Sequence, residues 1–501
     1  MYPIDFFLRA AARYRDRIAL DTPQGAWTYE RLRGEALALA AALQALDPTP
    51  QSRVAICAGN TAQHVVALLA VIASGKIWVP LNYRSTAPEI GRILDATEPS
   101  IVCTDRTGDA LVDAGGAVRI RLDATAGEHA LAGLLRAYAG REPVRCEPGT
   151  DATQAIKFTG GTTGLPKGVM QPYRAWTAGI VNQIHAWRLT CEDRYVVAAP
   201  VTHGTSTYLL PVLAQGGTHV FLEESSPATI TAAFRERGGT LAFMPPTLIY
   251  MIMAQPGVSR ADFPRLRNLI YGGAPMPVEK FEQVREFFGP VVGATYGQTE
   301  APQIVTAITP AEFSDPANLG SVGGAAWFSE FALMDREGRI LPAGQPGEVV
   351  VRGDLVMTGY WRLPEKTAET IVDGWLHTGD VGVADERGYL YIKDRLRDVI
   401  ITGGFNVYPI DVENALAQHP AVYECSVFGI PDAKWGEAVQ AAVQFHGGAS
   451  AEPQELMAFV RDKLGPVQTP KRIHIFESLP RSSVGKVLKN AVRDSVIKEI
   501  A

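Results

Sequence analysis

Phe158-Thr159-Gly160-Gly161-Thr162-Thr163-Gly164-Leu165-Pro166-Lys167-Gly168-Val169 packs hydroxyls, glycines and one lysine into a short loop. It follows a strand-like run, Ala155-Ile156-Lys157-Phe158. Glycines let backbone N–H groups come close to an anion, threonines donate hydrogen bonds, and Lys167 brings positive charge, so the segment reads as a phosphate cradle. It is not the P-loop of the NTPases, in which Gly-Lys-Ser/Thr runs straight into a helix. Here Pro166 precedes the lysine and Gly168 follows it. The reading is a loop that closes over the phosphates of a nucleotide. Taken alone, a Gly/Thr surface loop accounts for the same residues.

Three further segments fit the same chemistry at long range. Gly293-Ala294-Thr295-Tyr296-Gly297-Gln298-Thr299-Glu300 ends in a hydroxyl beside a carboxylate, suited to a magnesium ion that carries phosphates. Tyr296 offers a flat face for a purine. Gly374-Trp375-Leu376-His377-Thr378-Gly379-Asp380 presents a carboxylate able to hold ribose hydroxyls. Pro480-Arg481-Ser482-Ser483-Val484-Gly485-Lys486 places a lysine on a Gly turn near the end of the chain. In order and spacing the set resembles the adenylate-forming enzymes. That family contains the AMP-forming acyl- and aryl-CoA synthetases, the adenylation domains of peptide synthetases, and beetle luciferase. The resemblance spans essentially the whole chain.

Composition narrows the alternatives. A chain of 501 residues, 47% hydrophobic and 20% charged, is too long for one core. A formal net charge of -6 counts against nucleic acid, which asks for a basic patch. No apolar run approaches the roughly 18 residues that span a bilayer, and Met1 to Arg9 lacks the basic and apolar regions of a signal peptide. The five cysteines (57, 103, 146, 191, 425) form no CxxC pair and read as reduced thiols of a cytoplasmic protein. The nine histidines show no metal-ligand spacing.

The expected fold class is α/β. Thr28 reads as the N-cap of an Ala/Leu-rich helix. Arg53 to Cys57 reads as a buried strand, Thr61 to Ser74 as a helix ending at Gly75, and Ile77 to Leu81 as the next strand. Such alternation argues for layered α/β subdomains. The run Ala67 to Gly75 is read as a core helix, being short and flanked by Gln63, His64 and Lys76. From about Gly320, short strands (Glu330 to Met334, Gly347 to Arg352, Gly388 to Ile392) suggest a small β-barrel-like layer. Asp394-Arg395-Leu396-Arg397-Asp398 is a charged joint. Beyond it lies a compact α/β unit with strands near Tyr423 to Phe428, Ala438 to Phe445 and Arg472 to Phe476, and an amphipathic helix, Glu452 to Leu464. The expected organisation is a large N-terminal domain, residues 1–393, and a small mobile C-terminal domain, residues 394–501.

The resemblance implies ATP, Mg²⁺ and CoA, and roles residue by residue. Thr159, Gly160, Gly161, Thr162, Thr163, Gly164 and Lys167 would hold the β- and γ-phosphates. Thr299 would contact the α-phosphate, and Glu300, with Thr159, would bind Mg²⁺. Gly272, Gly273, Ala274, Pro275 and Tyr296 would frame adenine, with Asp380 and Arg395 on the ribose. Lys486 would bridge the substrate carboxylate and the α-phosphate. Arg397 occupies the hinge position, where relatives often carry Asp or Lys, and Gly403-Gly404 would border the pantetheine path. In Ala199 to Thr207, which resembles the family's gate region, His203 would line the carboxylate end of the acyl pocket.

The segment holds no Asp for an amino group and no Arg for a second carboxylate, which counts against amino acids and malonate-like diacids. Phe243 to Thr247, Tyr271 to Ala274 and Thr295 are the remaining wall candidates. They suit an aryl, cyclic or medium- to long-chain fatty acid. Thr205, Ser206 and Thr207 read equally as partners of a ring hydroxyl or as helix caps. The expected activity is a carboxylic acid:CoA ligase with a small acid, ATP and CoA as its partners; homodimerisation stays open. The alternatives are an adenylating enzyme that serves a separate carrier protein, and a non-catalytic nucleotide-binding regulator. Retention of Lys486, Glu300 and Asp380 speaks against the regulator.

Overall fold

The computed structural model describes residues 1–159, 167–202, 204, 206–432, 434–481 and 487–500. Its β-structure falls into four sheets. A seven-stranded sheet has at its centre the strands Thr153–Thr159, Ile77–Leu81 and Arg53–Cys57. The last two pair in parallel, Val54 opposite Trp78 and Cys57 opposite Leu81. Near-continuous apolar side chains suit strands covered on both faces, and all five residues of Ile77–Leu81 are buried. A nine-stranded sheet contains Arg194–Val196, Leu241–Met244, Asn268–Tyr271 and Val292–Tyr296 in parallel.

Helices cover these sheets where the sequence predicts them. Helix Tyr29–Leu46 is capped by Thr28, whose hydroxyl accepts from the Arg31 amide. Helix Ala62–Ala73 is capped in the same way by Thr61, which accepts from the His64 amide. Val65 to Val71 are fully buried, so this helix is a core element with apolar residues on every side. It stops before Gly75, whose φ of +74° favours glycine; a Cβ there would also lie 2.4 Å from that of Cys146.

The third sheet is antiparallel and open, with Ser329–Met334, Gly347–Gly353, Trp375–Ala384 and Leu390–Arg395 as its main strands. Strand Leu390–Arg395 pairs Arg395 with Asp380 and Asp394 with Val381. A 3-10 turn, Leu396–Asp398, then leads into Ile400–Thr402, the first strand of the fourth sheet. That sheet joins Val422–Asp432, Gly436–Phe445 and Arg472–Ile475, and helix Pro453–Leu464 packs on it through Leu456 and Val460. The charged joint is thus the short crossing between two sheets. Among the described residues no helix is long and apolar enough to cross a membrane.

Candidate active site

Parallel strands deliver their carboxyl ends to one edge of a sheet, the usual place for a ligand in an α/β fold. Strands Leu241–Met244, Asn268–Tyr271 and Val292–Tyr296 bring Phe243, Gly272 and Tyr296 to that edge. Gly272 is required there by contact, because a Cβ would lie 2.8 Å from the Thr295 carbonyl and 3.0 Å from the Phe243 ring. Gly273, Ala274 and Pro275 follow in the turn before helix Val278–Phe288, with Gly273 and Pro275 exposed.

Asp380 is the best-held charge at this edge, only 4% exposed. The Tyr296 hydroxyl donates to its Oδ2 at 2.6 Å and Gln298 Nε2 donates to the same oxygen at 2.5 Å. Arg395 Nε lies 2.8 Å from Oδ1. Burial and the adjoining carboxylate push the Tyr296 phenol well above its ordinary pKa, so it remains a donor. Tyr296, Asp380 and Arg395 therefore meet, as the sequence leads one to expect. Gln298, which no motif singled out, completes the set.

The second group surrounds Glu300. The Tyr360 hydroxyl donates to Glu300 Oε1 at 2.8 Å, and Lys167 Nζ stands 4.5 Å above the Tyr360 ring. Gln171 Nε2 donates to the Thr299 carbonyl at 2.9 Å. Thr159 and Lys167 are opposite one another across the antiparallel pair Thr153–Thr159 and Lys167–Pro172. The strand pairing thus sets the two ends of the cradle side by side, next to Thr299 and Glu300. Tyr360 had no sequence signal, since it acts through a fold contact.

A magnesium ion held by phosphates needs one or two protein carboxylates and keeps several waters. Glu300 fits that demand, with Oε2 free of a partner among the described residues. No cluster of three or more His, Cys, Asp or Glu fit to cage a metal occurs among them.

The acyl-wall candidates resolve unevenly. A Cβ on Gly204 would lie 2.9 Å from the Phe243 ring and 3.2 Å from Gln303 Oε1, and so Phe243 stands between Gly204 and Gly272. The Thr295 hydroxyl is spent on the Gln303 and Thr306 carbonyls. Thr207 donates to the Gly204 carbonyl at 2.6 Å, a local contact at the helix start, while Ser206 meets Lys157 Nζ at 2.8 Å. Gly160, Gly161, Thr162, Thr163, Gly164, His203, Thr205 and Lys486 lie outside the described residues.

At the joint, Arg397 is exposed, 3.7 Å from Asp398. Gly403 and Gly404 form the tip of the hairpin between Ile400–Thr402 and Phe405–Val407, with φ of +57° and +83°. They lead into Phe405–Val407, the edge strand of the fourth sheet. Asp394 is buried beside Lys489 and Glu413 at the same crossing; burial raises its pKa to about 6.

Known proteins bear on this geometry. The AMP-binding enzyme family matches residues 7–361, and the AMP-binding enzyme C-terminal domain matches residues 411–486. A feruloyl-CoA synthase from Amycolatopsis sp is 35% identical over 479 residues, covering 93% of this chain and 94% of that protein. A fatty acid–[acyl-carrier-protein] ligase from Streptomyces coeruleorubidus is 33% identical, covering 93% and 91%. The structure of an amide bond synthetase from Marinactinospora thermotolerans superposes with a TM-score of 0.89 at 32% identity, covering 98% and 99%. A chain matched over most of its length by this family, with a carboxylate held by Tyr296, Gln298 and Arg395 and with Thr159 and Lys167 paired across two strands, belongs to the AMP-binding, adenylate-forming enzymes.

Proposed function

We propose that the chain is an AMP-forming carboxylic acid:CoA ligase whose acid is aryl, cyclic or a medium- to long-chain fatty acid. The observation that carries this reading is the convergence of the Asp380 group and the Lys167–Tyr360–Glu300 group beside the joint at Arg395–Ile400. The first half-reaction brings two anions together, so positioning and cation supply dominate over any protein nucleophile. A carboxylate oxygen of the acid bonds to the α-phosphorus of ATP, and the bond to pyrophosphate breaks.

Thr159, the glycines and threonines 160–164, and Lys167 hold the outer phosphates. Thr299 contacts the α-phosphate. Glu300, with Thr159, holds Mg²⁺, which supplies positive charge to the phosphate oxygens. Tyr296 and residues 272–275 frame adenine. Asp380 takes the ribose through Oδ1, the oxygen that among the described residues only Arg395 engages. Lys486 neutralises the repulsion between the substrate carboxylate and the α-phosphate, and His203 lines the carboxylate end.

In the second half-reaction the thiol sulfur of CoA bonds to the acyl carbon, and AMP leaves with the electron pair of the broken C–O bond. Residues 394–501 turn about Arg397 between the two steps. The hairpin tip Gly403-Gly404 then borders the pantetheine path, beside Trp435.

The test is pyrophosphate release with ATP and Mg²⁺ over benzoates, cinnamates, cyclic acids and straight-chain acids, each with and without CoA. CoA-dependent turnover that yields a thioester is expected. Release indifferent to CoA would favour delivery to a carrier protein, the activity named for the Streptomyces coeruleorubidus relative.

A further inference from the structure

Lys157 sits inside the strand Thr153–Thr159 opposite Val169, only 8% exposed. Its Nζ meets the Ser206 hydroxyl at 2.8 Å and faces the indoles of Trp78 and Trp176, at 5.0 and 5.4 Å. No carboxylate pairs with it among the described residues. An ammonium has three donors, and among the described residues one has a partner. Indole faces attract a cation, but they do not replace an anion or an oxygen acceptor for a buried charge. Lysines are rarely placed so, and the nucleotide chemistry above gives this one no task.

The lysine forms part of the wall of a small, partly open cavity of about 30 Å³, which Trp176, Ile180, Leu210 and Pro302 also line. That is room for one oxygen-sized group, not for a ring. The cavity adjoins the acyl wall on two sides. Ser206 starts the helix that follows Gly204, and Pro302 precedes Gln303; a Cβ on Gly204 would meet both the Phe243 ring and Gln303 Oε1. A polar group on an acid lying against Phe243 therefore has a donor waiting beside it.

We propose that Lys157 is a specificity-determining residue: it hydrogen-bonds an oxygen carried by the acid in addition to the reacting carboxylate, either an oxo group or a second carboxylate. This rests on the ligase reading and narrows its substrate class to oxygen-bearing acids. It also reverses the expectation from residues 199–207 alone, since the cation comes from a different strand.

The experiment compares three acids of equal chain length: a plain monocarboxylic acid, its oxo acid and the dicarboxylic acid. Each is assayed by pyrophosphate release and thioester yield with CoA, for the wild type and Lys157→Met. The wild type is expected to favour the oxo acid or the dicarboxylic acid at least tenfold in kcat/KM; which one it favours identifies the acceptor. Lys157→Met should lose about ten- to a hundredfold on that acid, mainly in KM, as expected for a hydrogen bond to a charged donor. It should keep or improve turnover of the plain acid. Lys157→Gln, a neutral donor, should recover part of the loss.

Wild-type preference for the plain acid overturns the proposal whatever the variants do. So does a Lys157→Met loss that is equal for all three acids. Thioester formation from plain acids alone would leave the ligase reading standing and remove only this inference. Failure to activate any acid, here and in the wider panel, would remove both.

Discussion

Asp380 and Lys157 are both buried charges, and the protein treats them in opposite ways. Asp380 receives two neutral donors and a guanidinium, so its charge is balanced before any ligand arrives. Lys157 has one hydroxyl and two aromatic faces. A balanced charge holds a shape, and an unbalanced one creates a demand that a ligand can meet. On the proposed function, the difference separates residues that build the nucleotide site from those that select the acid.

The sharpest way to break this view is a third charge. Lys486→Ala should lower adenylation by several orders of magnitude, on the order of 10³-fold or more, because it removes the cation between two anions. Thioester formation from supplied acyl-adenylate should survive. Equal loss in both half-reactions, measured by pyrophosphate release and by acyl transfer, would break the assignment. Next in size, Asp380→Asn should raise the KM for ATP about a hundredfold. It should also destabilise the fold by about 2–3 kcal/mol, since Tyr296 and Gln298 lose an ionic acceptor. Arg395 is half exposed and adds little. Denaturant unfolding and ATP titration together test the prediction.

Lys157→Met should act with the opposite sign and stabilise the protein by roughly 1–3 kcal/mol at pH 7, as removal of a buried uncompensated charge does. The pH dependence follows from the lowered pKa. Between about 7 and the ordinary lysine value of 10.5, the folded state binds fewer protons than the unfolded state, so wild-type stability rises with pH. The advantage of Lys157→Met should therefore be full below pH 7 and shrink towards pH 10. A gap in Tm that stays constant across that range would contradict the assignment of a buried, desolvated ammonium.

Asp394 offers the smallest test. Its carboxyl is raised from 3.8 to about 6, so the folded state binds more protons in that window and stability falls as pH rises through it. Asp394→Asn should gain about 1 kcal/mol above pH 6 and nothing below pH 4. Urea unfolding at the two pH values measures it.

How much was legible depends on whether a residue's role is local. The cap Thr28, the helix read from Thr61 and the core strands are legible, because periodicity and a single hydroxyl specify them within a few residues; that Thr61 is itself the cap comes from the structure. Asp380 and Arg395 were nameable from their motifs, though their pairing is made by strand register. Tyr360 and Gln298 escaped notice: each reaches its carboxylate across 60 and 82 positions respectively, a separation that leaves no periodic trace. Gly403-Gly404 reads as a turn from its residues alone. That the strand after it, Phe405–Val407, is a sheet edge is decided by the strand order.

The sequence by itself determined the family and the α/β layering, because glycine, hydroxyl and apolar patterns encode local backbone freedom and hydrogen bonding. Only the tertiary structure decided what surrounds Lys157. In the sequence it is one charged residue in a strand. Its cost and its use arise from Trp78, Trp176 and Ser206, brought together from three separate elements, and burial is a property of packing rather than of neighbours along the chain.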